Sequence, residues 1–358
     1  MQPPVPPPPG YQAPTLPPPP SKGRGRRPVW LAILGGLLVV VLFASVTVRL
    51  PYFSEGPGPV HDVLPLIQIE GEKTYPASGE LLLTTVSFSS DRLSPLLLLQ
   101  AWLDPAKDVV AESDFLIPGQ TLEQQNELAD YAMDSSQLDA TATALSAVGD
   151  YPEDHAPGAL VESTFAGCDA SGKLFPGNVI TQINGEVIDD RVEASDLIDE
   201  SPRGKPIVFT ALAGSKDVEV RLRRTKCGPH GEILVGVSLI NVFPIDVKID
   251  SAGVGGPSAG LMFSLGIYDL LTPGDLTGGR IIAGTGVIGP EGAVYPIGGV
   301  EKKVAAADAA GAEIFFVPKD NYEAAKAAEP ALKLVPVKSF DEALGALTGD
   351  TGGTRQGD

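Results

Sequence analysis

An uncharged apolar run occupies residues 29–48, and its twenty residues are enough to carry one helix across a hydrocarbon core of about 30 Å. Beyond it the pattern breaks into short apolar runs separated by Gly and Pro. Strands are predicted at 66–69 and 80–88, divided by the turn Pro76-Ala77-Ser78-Gly79, and a further run at 94–103 reads as too apolar for a surface. Thr121-Leu122-Glu123-Gln124 has the form of a capping box. The helix it opens runs to Val148, with Met133, Gln137, Ala140, Ala144 and Ala147 at helical spacings. Next come short strands at 158–163, 179–183, 207–212 and 218–222 around a helix at 191–198, with Asn184-Gly185 as a tight hairpin connection. The last third reads as a strand at 243–249, a helix at 261–271, strands at 281–288 and 293–297, a helix from Val300 to near Gly311, and a continuously apolar, buried strand at 313–318. Helices and strands in this order predict a layered α+β or α/β fold.

Composition places these elements relative to a membrane. The 358 residues carry a net charge of −19, yet the first 28 contribute +4 from Lys22, Arg24, Arg26 and Arg27, so the remainder carries −23. A body that acidic argues against a nucleic-acid partner. The basic flank puts the N-terminus in the cytoplasm and the body outside. The apolar run is longer than a typical signal peptide and no Ala-x-Ala site follows, so we read a retained single-pass anchor in the cell membrane. Residues 1–28 are a proline-rich basic tail, 49–65 a linker rich in Gly and Pro, and 349–358 a disordered tail. The two cysteines, Cys168 and Cys227, fall in the exterior body, where one disulfide between them is expected, with two free thiols as the alternative. Without a nearby histidine pattern they suggest no metal site.

Candidate chemistry gathers in the loop Gly255-Gly256-Pro257-Ser258-Ala259-Gly260. A serine hydroxyl needs a base within hydrogen-bond reach before it is a useful nucleophile. The three histidines, His61, His155 and His230, all lie upstream in unpromising surroundings. Lysine is the other base available, once burial among apolar groups makes its amine neutral. From Val300 onward one helical face carries Val300, Lys303, Val304 and Ala307, which turns Lys303 inward and leaves Lys302 pointing elsewhere. Plainer readings stand beside these: Ser258 as a helix cap, and Lys303 as a packed stem whose amine reaches water.

The joint pattern resembles the proteolytic domain of Lon proteases. In that family the nucleophile lies in Pro-Ser-Ala-Gly, met here by Ser258, and the base is the fourth residue after Pro-x-Gly-Gly, met by Lys303 after Pro296-Ile297-Gly298-Gly299. Thr285 in Gly284-Thr285-Gly286 matches the threonine that holds the lysine amine. Gly255 departs from the acidic residue that many Lon enzymes carry three before the serine. Leu174-Phe175-Pro176-Gly177-Asn178-Val179-Ile180, followed by Ile183-Asn184-Gly185, closely resembles PDZ domains, which add a peptide end to a sheet edge beside a helix.

Together these imply an α+β Lon-type proteolytic domain split into 66–148 and 229–348 by a PDZ domain at 149–228. The resemblance implies a serine endopeptidase acting on extracytoplasmic proteins and peptides. Nothing in the sequence matches a phosphate-binding Gly-x-x-x-x-Gly-Lys-Ser/Thr loop, so, unlike Lon proper, it is expected to cleave without ATP or other cofactor and to be limited to exposed or unfolded substrates. The backbone around Pro257 and Ala259 would stabilise the oxyanion, and a homo-oligomeric ring, in the family usually of six, is implied. The peptide groove is expected at Gly149, Asp150 and Tyr151 with Val192 and Leu197 on the flanking helix. A non-catalytic PDZ adaptor on a peptidase-like scaffold is the rival function.

Overall fold

Residues 29–228 and 230–349 are described by a computed structural model; the proline-rich tail and the segment after 349 lie outside the described residues. Helix α1 (Val29–Thr47) meets the body beside the helix Pro95–Leu103, with Trp30–Thr47 long and apolar enough to cross a membrane and none of it buried. The stretch expected as a linker is instead strand β1 (Tyr52–Asp62), held inside the main sheet. Its Gly and Pro content fits a strand for local reasons. Register shifts between Pro57 and Val60, the outer neighbour pairs only with Tyr52 to Glu55, and the prolines therefore lie along an open edge. A side chain at Gly58 would run into Thr85.

There follow β2 (Ile67–Glu70), β3 (Glu80–Phe88), α2 (Pro95–Leu103), β4 (Asp108–Ala111), the short α3 (Glu112–Phe115) and α4 (Leu122–Val148). Both halves of the capping box form at α4: the Gln124 amide donates to Thr121 Oγ1 at 3.2 Å, and the Thr121 amide donates to Gln124 Oε1 at 3.0 Å. The 94–103 run corrects our expectation. It is a surface helix, started by the Ser94 cap and Pro95, and only Ala101 of it is buried.

The inserted unit comprises β5 (Ala156–Thr164), β6 (Val179–Ile183), β7 (Glu186–Val187), α5 (Arg191–Glu200), β8 (Ile207–Ala213), β9 (Lys216–Leu222), β10 (Thr225–Lys226), β11 (Ile233–Leu234) and β12 (Val237–Val242). Its main sheet runs β12-β5-β6-β8-β9 over a core of its own that includes Val161, Leu174, Ile180, Ile183, Phe209 and Leu222. Because β12 pairs antiparallel with β5, the unit extends past the boundary expected at 228.

The chain then returns through β13 (Asp246–Ile249), α6 (Gly260–Leu271), β14 (Ile281–Gly284), β15 (Val287–Ile288), β16 (Val294–Tyr295), α7 (Val300–Ala309), β17 (Ile314–Pro318), α8 (Tyr322–Ala327), β18 (Lys333–Val337) and α9 (Phe340–Thr348). Strands from before and after the insert share one sheet in the order β18-β17-β14-β3-β1-β4, while β2 pairs with β13 instead of with β3. Alternation of side chains sends Leu81, Leu83 and Phe316 into the core under α4, α6 and α9, and Leu82, Phe315 and Val317 into the core under α7 and α8. Helices α6 and α7 thus bring their N-terminal ends to the sheet from opposite faces.

Candidate active site

Ser258 sits in the single 3₁₀ turn Pro257–Ala259 that leads into α6. The turn is anchored from several sides. Gly256 adopts φ +87°, a conformation glycine reaches without strain, and its amide donates to the Ala129 carbonyl of α4 at 2.7 Å. Ser136 Oγ on α4 donates to the Pro257 carbonyl at 2.9 Å. A Cβ at Gly260 would stand 2.7 Å from Ser136 Oγ, so only glycine lets α6 approach α4 this closely.

Lys303, on the inner face of α7, is 4% exposed, and its Nζ lies 2.6 Å from Ser258 Oγ. Two further oxygens hold that amine: the Thr84 carbonyl at 3.0 Å and Thr285 Oγ1 at 3.3 Å. Thr285 is fully buried, and its hydroxyl donates to the Ser258 carbonyl at 3.0 Å. The same carbonyl accepts the Gly286 amide at 2.9 Å. Thr285 follows directly on β14, whose strand pairing ends at Gly284, so the predicted continuous strand at 281–288 breaks where the threonine turns toward the amine. Burial pulls the Lys303 amine down to about 8. No positive neighbour is needed to account for this, since desolvation alone disfavours the charged form.

Neighbouring candidates fall elsewhere. Lys302 pairs with Asp108 at 2.9 Å. His155 reaches only the Ala156 carbonyl, and among the described residues no histidine hydrogen-bonds Ser258. Gly255 has no room for an acid, because its Cβ would lie 2.9 Å from the Cβ of Ala129. Pro257 has no amide hydrogen, so any donors for an oxyanion in this turn come from Ser258 and Ala259. Thr84 was not singled out from the sequence. The signal was a polar pair, Thr84-Thr85, inside an otherwise apolar strand, but the group that matters is a backbone carbonyl, which carries no residue identity.

The residues expected to form a peptide groove are dispersed. Gly149 closes α4 with its amide donating to the Leu145 carbonyl at 2.9 Å, and the Asp150 carbonyl accepts the Glu153 amide. Tyr151 is buried, donates to the Asn241 carbonyl at 2.9 Å, and packs on Phe243. Val192 is exposed and Leu197 packs into the unit's own core. A cleft lies beside the later turns of α5. It is about 250 Å³ and is lined by Ser195, Ile198 and Asp199 of α5, residues 233–237, Leu239, Phe165 and Arg224. The early loop misses it because β12, an edge strand from beyond the expected boundary, borders it instead. Cys168 and Cys227 are disulfide-bonded, and Cys168 lies against Gly236 in the cleft wall.

Insert and body meet through Tyr131 of α4, whose hydroxyl is 2.9 Å from Thr164 Oγ1, and through the carboxyls of Asp139 and Glu162, with Ser238 donating to Glu162. Burial, reinforced by the hydrogen bond to Glu162, pushes the Asp139 carboxyl up to about 8.

Fold and site define a class: a layered α+β domain in which one hydroxyl faces one buried amine. The later part of the chain carries a Lon-type C-terminal proteolytic domain. Residues 244–348 match the model of the Lon protease (S16) C-terminal proteolytic domain. Similar proteins include Lon protease 2 of Bacillus subtilis (strain 168), 31% identical over 37% of this chain and 24% of that protein. Another is the Lon protease of Trichlorobacter lovleyi, 34% identical over 46% of this chain and 20% of that protein. The chain thus spans about a quarter or less of the length of these relatives. Among solved structures, the PDZ domain of the SdrC-like protein from Listeria innocua is 26% identical, covers 23% of this chain and 92% of its own, and has a TM-score of 0.21.

Proposed function

We propose that the protein is a serine endopeptidase, anchored by α1 with its body outside the cell membrane, in which Ser258 is the nucleophile and Lys303 the base. The observation that carries this reading is the 2.6 Å separation of the buried Lys303 Nζ and the half-buried Ser258 Oγ. A neutral Lys303 amine accepts the Ser258 proton as Oγ attacks the peptide carbonyl. The amides of Ser258 and Ala259 belong to a first helical turn, which leaves its N–H groups without partners further back, and they hold the developing oxyanion. The ammonium then returns the proton to the departing amine, and a water deprotonated by Lys303 releases the acyl group. Thr285 and the Thr84 carbonyl orient the amine throughout. The reaction draws on no nucleotide or metal.

A peptide end is taken by the cleft between α5 and β12, by addition to the free edge of β12, instead of at Gly149 to Tyr151. Substrates are exposed or loosely folded segments of extracytoplasmic proteins, and the working form is a homo-oligomeric ring. The β12 edge also favours the adaptor reading, since it requires nothing of the serine.

Hydrolysis of a short fluorogenic peptide by the full chain, with ATP omitted, separates the two. Loss of roughly 10²-fold or more in kcat for Ser258→Ala and for Lys303→Ala, with Lys302→Ala unaffected, supports the peptidase. Peptide binding without turnover in every form supports the adaptor.

A further inference from the structure

Helix α2 is apolar on nearly every side, and its outward residues are left exposed by the described residues of the body. Leu96, Leu97 and Leu99 are between 43% and 49% exposed, Leu103 67% and Trp102 70%. A helix that is apolar all round is ordinarily buried in a core or in lipid. Here the surrounding contacts indicate which. The Leu50 amide, three residues past the end of α1, donates to the Leu93 carbonyl at 2.9 Å, and the Leu93 amide donates to the Tyr52 carbonyl at 2.8 Å. These bonds fix the start of α2 at the level where α1 leaves the body, and α2 lies beside α1.

We propose that α2 is a second membrane contact, seated in the interfacial layer of the bilayer with Leu96, Leu97, Leu99, Trp102 and Leu103 against lipid. The proposal rests on the reading of α1 as a membrane span. Charge supports an apolar, not an electrostatic, contact. The nearby cations Arg49 and Arg92 are already paired with Asp91 and Glu112, and the remainder of the chain beyond residue 28 carries −23, so anionic headgroups offer no attraction. Tryptophan favours this layer because its ring is apolar while its N–H keeps a wet partner. A catalytic body held at two points cannot swing freely about its anchor and is presented to segments that lie near the membrane surface.

The chain has two tryptophans, Trp30 and Trp102, so Trp30→Phe leaves Trp102 as the sole reporter. The full-length variant is reconstituted in phosphatidylcholine vesicles containing lipids brominated at shallow or deep acyl positions. The proposal requires that shallow bromines quench Trp102 more than deep ones do, and that water-soluble acrylamide reaches it less well than free tryptophan. Deeper quenching would mean that α2 runs along α1 into the hydrocarbon, about 13 Å at 1.5 Å per residue, and would overturn the interfacial placement. Acrylamide shielding without lipid quenching would mean that another copy of the chain covers α2, and free acrylamide access without quenching that nothing does; either overturns the proposal. Failure of the chain to float with the vesicles would instead overturn the reading of α1, and the proposal with it.

Discussion

At the scale of single residues, Lys303 is the costly position. A charged amine at 4% exposure is destabilising, and its lowered value of about 8 against 10.5 measures how much. Below about pH 8 folded and unfolded states both hold the proton and the cost is fully present. Between 8 and 10.5 the unfolded chain holds a proton that the folded one lacks, so stability rises with pH and the cost fades. Lys303→Met should therefore stabilise the fold near pH 7, by on the order of 3 kcal/mol at most because three polar contacts are lost with the amine. Thermal melts at pH 7 and pH 10 should show a gain that shrinks with rising pH. An equal gain at both values would remove desolvation as the cause.

At the scale of elements, the join between α4 and the insert includes a half-buried acid pair. The raised Asp139 carboxyl keeps its proton in the folded state between 3.8 and about 8, where the unfolded chain releases it, so this contribution to stability is lost as pH rises through about 8. Asp139→Asn, which keeps a neutral group of the same shape, should give an advantage in melting temperature that grows as pH is raised from 4 to 9. A constant offset would show that the two carboxyls do not share a proton.

The elements differ in how openly the sequence declares them. Ser258 and Lys303 could be found because their signals are local: a glycine-rich turn before an apolar helix, and a 3.6-residue period that turns Lys303, not Lys302, toward Val300 and Val304. Strand β1 was hidden because the prolines that usually mark a linker sit where its neighbour stops. Helix α2 was assigned to the interior because periodicity cannot tell burial in protein from contact with lipid. The cleft proposed for peptide could not be foreseen locally, because β12 joins its sheet from 70 or more residues away, across a pairing with β5 that no local pattern encodes.

At the scale of the whole molecule, one chain builds three cores, one on each face of the main sheet and one in the insert, which is tied to itself by Cys168–Cys227 across 59 residues. Closing a loop of that length contributes roughly 2–4 kcal/mol. Cys168→Ser with Cys227→Ser should lower the melting temperature of the insert and weaken peptide binding at the cleft bordered by Gly236. Hydrolysis of a short peptide that does not use the cleft should be unchanged, as measured by kcat/KM. A parallel loss of hydrolysis would show that the two units unfold as one.

The central claim is that Ser258 is activated by an amine made neutral by burial. The pH dependence of kcat/KM tests it most directly, because that quantity reports the ionisation of the free enzyme's base. The account predicts a rate that rises about tenfold per pH unit below about 8 and levels off above it, with the profile abolished in Lys303→Ala and retained in Lys302→Ala. A rise centred near 6.5, the ordinary range of an imidazole, or an unchanged profile in Lys303→Ala would contradict it.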